Sequence, residues 1–238
     1  SFDVNEGEIF GIGGLAGQGK LGIPNGIMGL FPGGGEIILD GKKIGLNSPR
    51  IALDSGMAFV SEDRRDVGLL LDEPLDWNIS FTAMQVQNKF LKPIFGNLIK
   101  WRDEKAIQNA AKGFIDALEI KCTGYSQKAQ ELSGGNQQKI CLAKAFIVEP
   151  RVLFVSEPTR GIDVGAKKIV LDTLIKNNRE KGTTIIMISS ELEELRSVCD
   201  RIAIVDEGKI AGILPATRPA ADFGLLMLGT APVSGGAE

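Results

Sequence analysis

Seven consecutive residues constrain this chain more than any other segment. Gly14-Leu15-Ala16-Gly17-Gln18-Gly19-Lys20 follows the short apolar run Glu8–Ile12 and fits the pattern G-x-x-x-x-G-K. Glycines here let successive backbone N–H groups curl into an anion cradle. The N-terminus of a following helix adds partial positive charge, and Lys20 adds a full one. Alone, the segment also reads as a Gly-rich link between strand and helix. The next position, where a Ser or Thr hydroxyl would ligate Mg²⁺, is Leu21, which has no lone pair to offer. Gly22, Pro24, Gly26 and Gly29 occupy the turns beyond. An interior Pro costs about 3 kcal/mol and a Gly about 1 relative to Ala, so this helix is expected to be bent or short.

Strand-like and helix-like segments alternate along the 238 residues, which points to an α/β domain with a largely parallel sheet. Arg151–Val155 and Thr184–Ile188 are continuous apolar runs, as expected of strands buried on both faces, with Val164–Lys181 as the crossover helix between them. Met57–Val60 reads as another strand. Glu36–Leu39 with Lys43-Ile44, and Ile202–Val205 with Lys209–Ile213, read as hairpins. From about Asp76 to Leu118 the texture is helical, with both tryptophans (Trp77, Trp101) and interruptions at Pro93 and Gly96. Ala106, Ala110, Phe114 and Leu118 fall on one helix face. This stretch reads as an inserted helical subdomain, and the tail after Thr230 as frayed.

Two further segments carry chemistry. In Leu132-Ser133-Gly134-Gly135-Asn136-Gln137-Gln138-Lys139, Ser133 reads as an N-cap for a helix beginning near Asn136; the same geometry converges a hydroxyl, exposed amides and a helix N-terminus on one point. The strand ending in Ser156-Glu157-Pro158-Thr159 puts a carboxylate at the C-terminal end of a buried parallel strand, where ligands bind in open α/β sheets. Other chemistries are excluded or disfavoured. The chain has no histidine, so His-based catalysis and His-ligated metals are out. Cys122, Cys141 and Cys199 lack CxxC spacing and read as free thiols. A net charge of −3 argues against a nucleic-acid partner, no apolar run reaches membrane-spanning length, and no secretory leader is expected.

In this order the three segments resemble the ATP-binding cassette family over essentially the whole chain, with LSGGNQQK matching its signature motif. Phe59–Arg65 (FVSEDRR), Gly135–Lys139 (GNQQK) and Thr159–Lys167 (TRGIDVGAK) look like the second cassette of the tandem ATPases that energise bacterial ribose, galactose, xylose or nucleoside importers. The resemblance implies a P-loop NTPase fold: a RecA-like core with a mixed sheet (about 1–72 and 148–238), an antiparallel β subdomain and a helical subdomain (about 73–147). It implies the C-terminal half of a two-cassette chain, starting too late to include the strand that carries the adenine-stacking aromatic. By resemblance, Gly14, Gly17, Gln18, Gly19, Lys20 and Leu21 lie around the phosphates of ATP. Ser133, Gly134, Gly135, Asn136 and Gln137 reach ATP on a partner cassette, Glu157 polarises the attacking water, and Asp163 couples the two sites. The implied partners are the N-terminal cassette, membrane permease subunits and, indirectly, a solute-binding protein, at the cytoplasmic face of the cell membrane. Leu69-Leu70-Leu71, Trp77, Phe81 and Met84 offer a docking groove for the permease or form the subdomain's own core; Arg64 and Arg65 offer ion pairs to it or are solvated surface.

Four departures from the family pattern cluster. Leu21 replaces a metal-ligating hydroxyl, Ser156 replaces an aspartate that anchors Mg²⁺, and Glu62 replaces a glutamine at metal and water. Ser190 replaces the histidine at the γ-phosphate. Glu62 is itself a candidate metal ligand in compensation, the usual ligand positions being Leu21 and Ser156. Each ~1.4 kcal/mol of lost transition-state stabilisation costs tenfold in rate, so this site is expected to bind nucleotide but hydrolyse it weakly or not at all. Its signature remains suited to complete the partner's site. The rival readings are a soluble, non-transport ATPase of the same family, a nucleotide-binding module with no catalytic role, and a P-loop kinase, which leaves LSGGNQQK unexplained.

Overall fold

The computed structural model describes residues 1–94 and 99–230. The first half contains β1 (Ile9–Gly13), α1 (Gly22–Ile27), β2 (Ile37–Leu39), β3 (Lys42–Ile44), α2 (Pro49–Asp54), β4 (Met57–Val60), a π turn (Arg64–Gly68), α3 (Leu75–Gln87), β5 (Leu91–Ile94), β6 (Ile99–Arg102) and α4 (Glu104–Ala117). A 3-10 turn (Ala129–Glu131) leads to α5 (Gly134–Phe146), β7 (Val152–Ser156), α6 (Val164–Lys181), β8 (Thr184–Ile188), α7 (Leu192–Val198), β9 (Arg201–Asp206), β10 (Lys209–Pro215) and α8 (Ala220–Met227).

The apolar runs become one six-stranded mixed sheet, ordered β10-β9-β1-β8-β7-β4, with β10 antiparallel at the edge. Alternate side chains go to opposite faces, and both are buried. Ile9, Leu153, Val155, Ile185, Met187, Ile202 and Ile204 pack with residues of α5 to α8. Phe10, Ile12, Phe154, Ile186, Ile188, Ala203 and Val205 pack with residues of α1, α2 and the β2–β3 hairpin. The parallel strands end side by side, Ile12 in register with Ile188 and Ser156 with the same Ile188. The phosphate loop, Glu157 and Ser190 therefore leave three neighbouring strands at one end of the sheet.

Strand and hairpin positions follow the sequence reading to within two residues, and α1 is short as expected, six residues long. Three details differ. The helical stretch contains the antiparallel hairpin β5–β6, with Pro93 opposite Lys100; a two-stranded ribbon tolerates Pro because its outer edge needs no donor. Gly96 and the tail after Thr230 lie outside the described residues. The α4 face is centred on Ile107 and Ala111, both buried, leaving Ala106 and Ala110 at its half-buried flank. Finally, α5 begins at Gly134 rather than near Asn136, because Ser133 is extended (φ −62°, ψ 157°) and the helix starts immediately after it.

Candidate functional site

At the phosphate loop, positive φ at Gly14 (142°), Gly17 (82°) and Gly19 (87°) turns the chain through a path that L side chains avoid. A Cβ at Gly14 would lie 2.3 Å from the Val205 carbonyl oxygen, so only glycine fits there. Among the described residues, the amides of Gly17, Gly19 and Lys20 donate to no backbone carbonyl, which suits an anion cradle. Gln18 does something its sequence position did not announce. Its Oε1 accepts from the Glu207 amide at 2.6 Å and its carbonyl from the Gly208 amide at 3.1 Å, clasping the loop to the β9–β10 turn.

Lys20 is buried, and its Nζ donates to Gly14 O at 2.9 Å and to Ser190 Oγ at 2.8 Å. Ser190 Oγ in turn donates to Glu157 Oε1 at 2.6 Å. A hydroxyl thus bridges the loop cation and the strand-end carboxylate. Burial pushes the Lys20 ammonium below its ordinary pKa, with the nearby Glu157 charge opposing that shift. Glu157 itself sits at φ 47°, its amide donating to Ile188 O at 2.7 Å. The loop after Glu157 and the loop of Ser190 share a further strut, the buried Glu194. Its Oε1 accepts from Thr159 Oγ1 and its Oε2 from Ser189 Oγ, each at 2.9 Å. Burial raises the Glu194 carboxyl above its ordinary pKa.

The start of α5 is differently built. Ser133 holds the N-cap position but makes no cap hydrogen bond; its exposed hydroxyl accepts from Asn136 Nδ2 at 3.0 Å. Gly135 is packed so tightly that a Cβ would lie 2.9 Å from Ala166 Cβ and 3.6 Å from Asp163 Oδ2. Asp163 caps α6 through the Ala166 amide at 2.9 Å, a bond that holds its carboxyl below the usual range. Gln137 turns away from this surface: it is buried and its Nε2 donates to Ala129 O at 3.1 Å, so its side chain supports the 3-10 turn instead of facing a ligand.

Of the proposed docking residues, Leu69 and Met84 are buried, and Leu69 belongs to the core cluster that includes Leu75 and Ile79 of α3; Leu70 stays 40% exposed. Trp77 stacks at a tilt on Phe81, with Arg102 over its ring. Arg65 is exposed, but Arg64 turns inward and its Nη1 donates to Arg160 O at 2.9 Å. Sequence reasoning missed Arg64, Gln18 as a clasp and Glu194, since none stands in a motif that marks such a contact.

The fit for a divalent cation at this phosphate loop is poor. Leu21 packs into an apolar cluster, and Ser156 Oγ, fully buried, has no hydrogen-bond partner. Glu62, half-buried beyond β4, accepts from Ser61 Oγ at 3.4 Å. Among the described residues no group of three or more acidic or cysteine side chains is placed to hold a metal. Neither Leu21 nor Ser156 offers an anionic oxygen, which leaves the carboxylates of Glu62 and Glu157 as the anionic groups for a Mg²⁺ ion. A cavity of about 920 Å³ lies elsewhere, between the N-terminal residues, α1 and the β2–β3 hairpin, and includes neither Lys20 nor Glu157.

The family model described as ABC transporter matches residues 1–160. A ribose import ATP-binding protein from Oceanobacillus iheyensis is 43% identical over 214 residues, covering 90% of this chain and 41% of that protein. A xylose import ATP-binding protein from Moorella thermoacetica is 42% identical over 214 residues, covering 89% of this chain and 40% of that protein. The chain thus spans about two fifths of the length of these curated relatives. Among solved structures, a dimeric post-hydrolysis state of the ATP-binding cassette MJ0796, bound to ADP and Pi, aligns with a TM-score of 0.74 over 92% of this chain and 89% of that one. At 21% identity that likeness speaks to the fold alone.

Proposed function

The chain belongs to the ABC transporter ATPase family, and from that premise we propose that it is a nucleotide-binding cassette of an importer for sugars of the ribose, galactose or xylose kind, or for nucleosides. In this reading it is the C-terminal half of a two-cassette polypeptide, its core (about 1–72 and 148–238) carrying the phosphate loop and its helical subdomain (about 73–147) carrying the signature. It works at the cytoplasmic face of the cell membrane with the N-terminal cassette, permease subunits and, indirectly, a solute-binding protein. Among the described residues no helix is long and apolar enough to cross a membrane, in keeping with a peripheral role.

ATP supplies the phosphoanhydride bond whose cleavage drives transport. In the chain's own site, Lys20 and the loop amides bind and orient phosphates, Lys20 exchanging its bonds to Gly14 O and Ser190 Oγ for phosphate oxygens. Glu157 is held for accepting a proton from water, with Ser190 fixing its carboxylate. The step is weak because charge building on the leaving phosphate meets Leu21 and a neutral Ser156 instead of a bound cation. Mg²⁺ would accompany ATP at the partner's phosphate loop and supply charge neutralisation there, while Ser133 and the glycines after it would complete that site.

The observation that carries this reading is the contrast between a Ser133 hydroxyl left unused in capping, at a tightly fixed helix start, and the anion-poor surroundings of Leu21 and Ser156. Single-site variants of the full two-cassette protein test it. Ser133→Arg is expected to abolish transport-coupled ATPase activity and Glu157→Gln to reduce it by no more than about threefold, under 1 kcal/mol of barrier. Equal losses would sink the reading.

A further inference from the structure

The segment Ser61-Glu62-Asp63-Arg64-Arg65 reads in the sequence as a charged surface loop, yet one of its arginines is built into the molecule. The Arg64 guanidinium lies in a slot between two glycines. A Cβ on Gly134 would stand 3.0 Å from Nη2, and a Cβ on Gly161 would stand 3.5 Å from the same atom. Its Nη1 donates to Arg160 O at 2.9 Å. One planar group therefore touches the first residue of α5 and the loop that runs from Glu157 to Asp163. A solvated surface charge needs no such slot; a flat, forked cation does.

The backbone that carries Arg64 is itself fastened to α5. Asp63 Oδ1 accepts from the amides of Arg65 and Asp66, at 3.1 and 3.0 Å, and so sets the π turn. At the far end of that turn, Lys144 Nζ donates to Gly68 O at 2.8 Å, and Cys141 Sγ packs where a Cβ on Gly68 would come within 3.0 Å. The turn is thus tied to the C-terminal half of α5, and Arg64 reaches from it to the helix's first residue and across to the Arg160 carbonyl. We propose that Arg64 is a positioning residue that fixes the start of α5 against the Glu157–Asp163 loop, so that Ser133 and Gly135 meet nucleotide on the partner cassette in a productive orientation. Arg64 touches no reacting atom in this scheme; it acts through Gly134 and Arg160. The proposal rests on the reading that α5 completes a partner's site.

The test uses the full two-cassette chain assembled with its membrane subunits, reading solute-stimulated ATP turnover against ATP concentration, with Ser133→Arg as a parallel arm. Arg64→Ala is expected to lower kcat about tenfold, the rate equivalent of one charge-assisted hydrogen bond, while KM stays within about twofold. Low-millimolar guanidinium ion, too dilute to denature, should restore part of that loss by refilling the slot. Arg64→Lys keeps the stem and the charge but lacks the fork, so it should recover no more than about half of the wild-type rate. If Arg64→Ala does not fold, Arg64→Lys with an unchanged melting temperature carries the test by its kcat. Turnover lost in Ser133→Arg but fully retained in the Arg64 variants overturns the role of Arg64 alone, as does a change in KM without one in kcat. Turnover retained in Ser133→Arg overturns the underlying reading of α5, and this proposal with it.

Discussion

The phosphate-loop end and the start of α5 are both anion-facing by chemistry, yet they are held in opposite ways. At the phosphate loop the charged groups satisfy one another: Lys20, Ser190 and Glu157 form a continuous hydrogen-bonded chain, and the metal-facing positions are a leucine and an orphaned serine. At α5 the polar groups face outward, Ser133 exposed and uncommitted to capping, while the scaffold beneath is locked by Gly135 against Ala166 and by Arg64 between two glycines. The difference teaches that one anion-binding motif can be closed by its own hydrogen bonds, whereas another is left open on a scaffold fixed by packing.

The sharpest way to break that comparison is to disturb the packing. Gly135→Ala puts a methyl where Ala166 Cβ cannot yield, so turnover of the assembled transporter should fall about a hundredfold and stability by about 1–3 kcal/mol. Gly134→Ala is close only to the far end of the Arg64 side chain, at 3.0 Å, with the Gly161 carbonyl oxygen at an ordinary 3.5 Å, and should cost less than about 1 kcal/mol of stability. Denaturant melts of the two variants check this; equal costs would remove the claim that Gly135 is the rigid point. A smaller effect is expected at the other end. Replacing Leu21 by Ser together with Ser156 by Asp should strengthen Mg²⁺-dependent nucleotide binding by about tenfold, read by calorimetry with and without the metal. Affinity that stays indifferent to Mg²⁺ would show that the defect lies elsewhere in the site.

The smallest effect concerns the strut between the two loops. Burial raises the Glu194 carboxyl above its unfolded value of 4.5. The native state therefore holds that proton more tightly, and the stability this gives is present below pH 4.5 and lost as the pH rises through the higher folded pKa. Glu194→Gln removes the titration, so its melting temperature should gain on wild type, by on the order of 1–2 °C, as the pH goes from 4 to 7. A gap that does not change with pH would mean that Thr159 and Ser189 stabilise the ionised carboxylate fully.

Much of the fold was legible because its signals are local. Continuous apolar runs marked β7 and β8, Asp206-Glu207-Gly208 marked the β9–β10 turn, and Pro24 with its neighbouring glycines marked the short α1. The β5–β6 hairpin was not legible: its residues are largely exposed, and hydrophobic periodicity is silent where nothing is buried. The α4 face was read slightly off axis, since alanines contribute little to distinguish a core position from a flank. In the site, the Gly14–Lys20 pattern and the Ser133–Gly135 run announced themselves. The burial of Gln137 did not, because a polar side chain is drawn inside only by a partner, here the Ala129 carbonyl, that spacing cannot reveal.

The sequence by itself determined which residue types stand at the phosphate loop, the α5 start and the strand-end carboxylate, and that histidine takes no part. These follow from side-chain chemistry and from backbone freedom at glycine, which need no neighbour to be defined. Only the tertiary structure decided that Ser190 bridges Lys20 to Glu157, that Gln18 clasps a distant hairpin, and that Arg64 is half-buried between Gly134 and Gly161. Each of those contacts joins segments far apart in the chain, and the sheet order that aligns the ends of β1, β8 and β7 is what brings the Lys20, Ser190 and Glu157 loops within reach of one another.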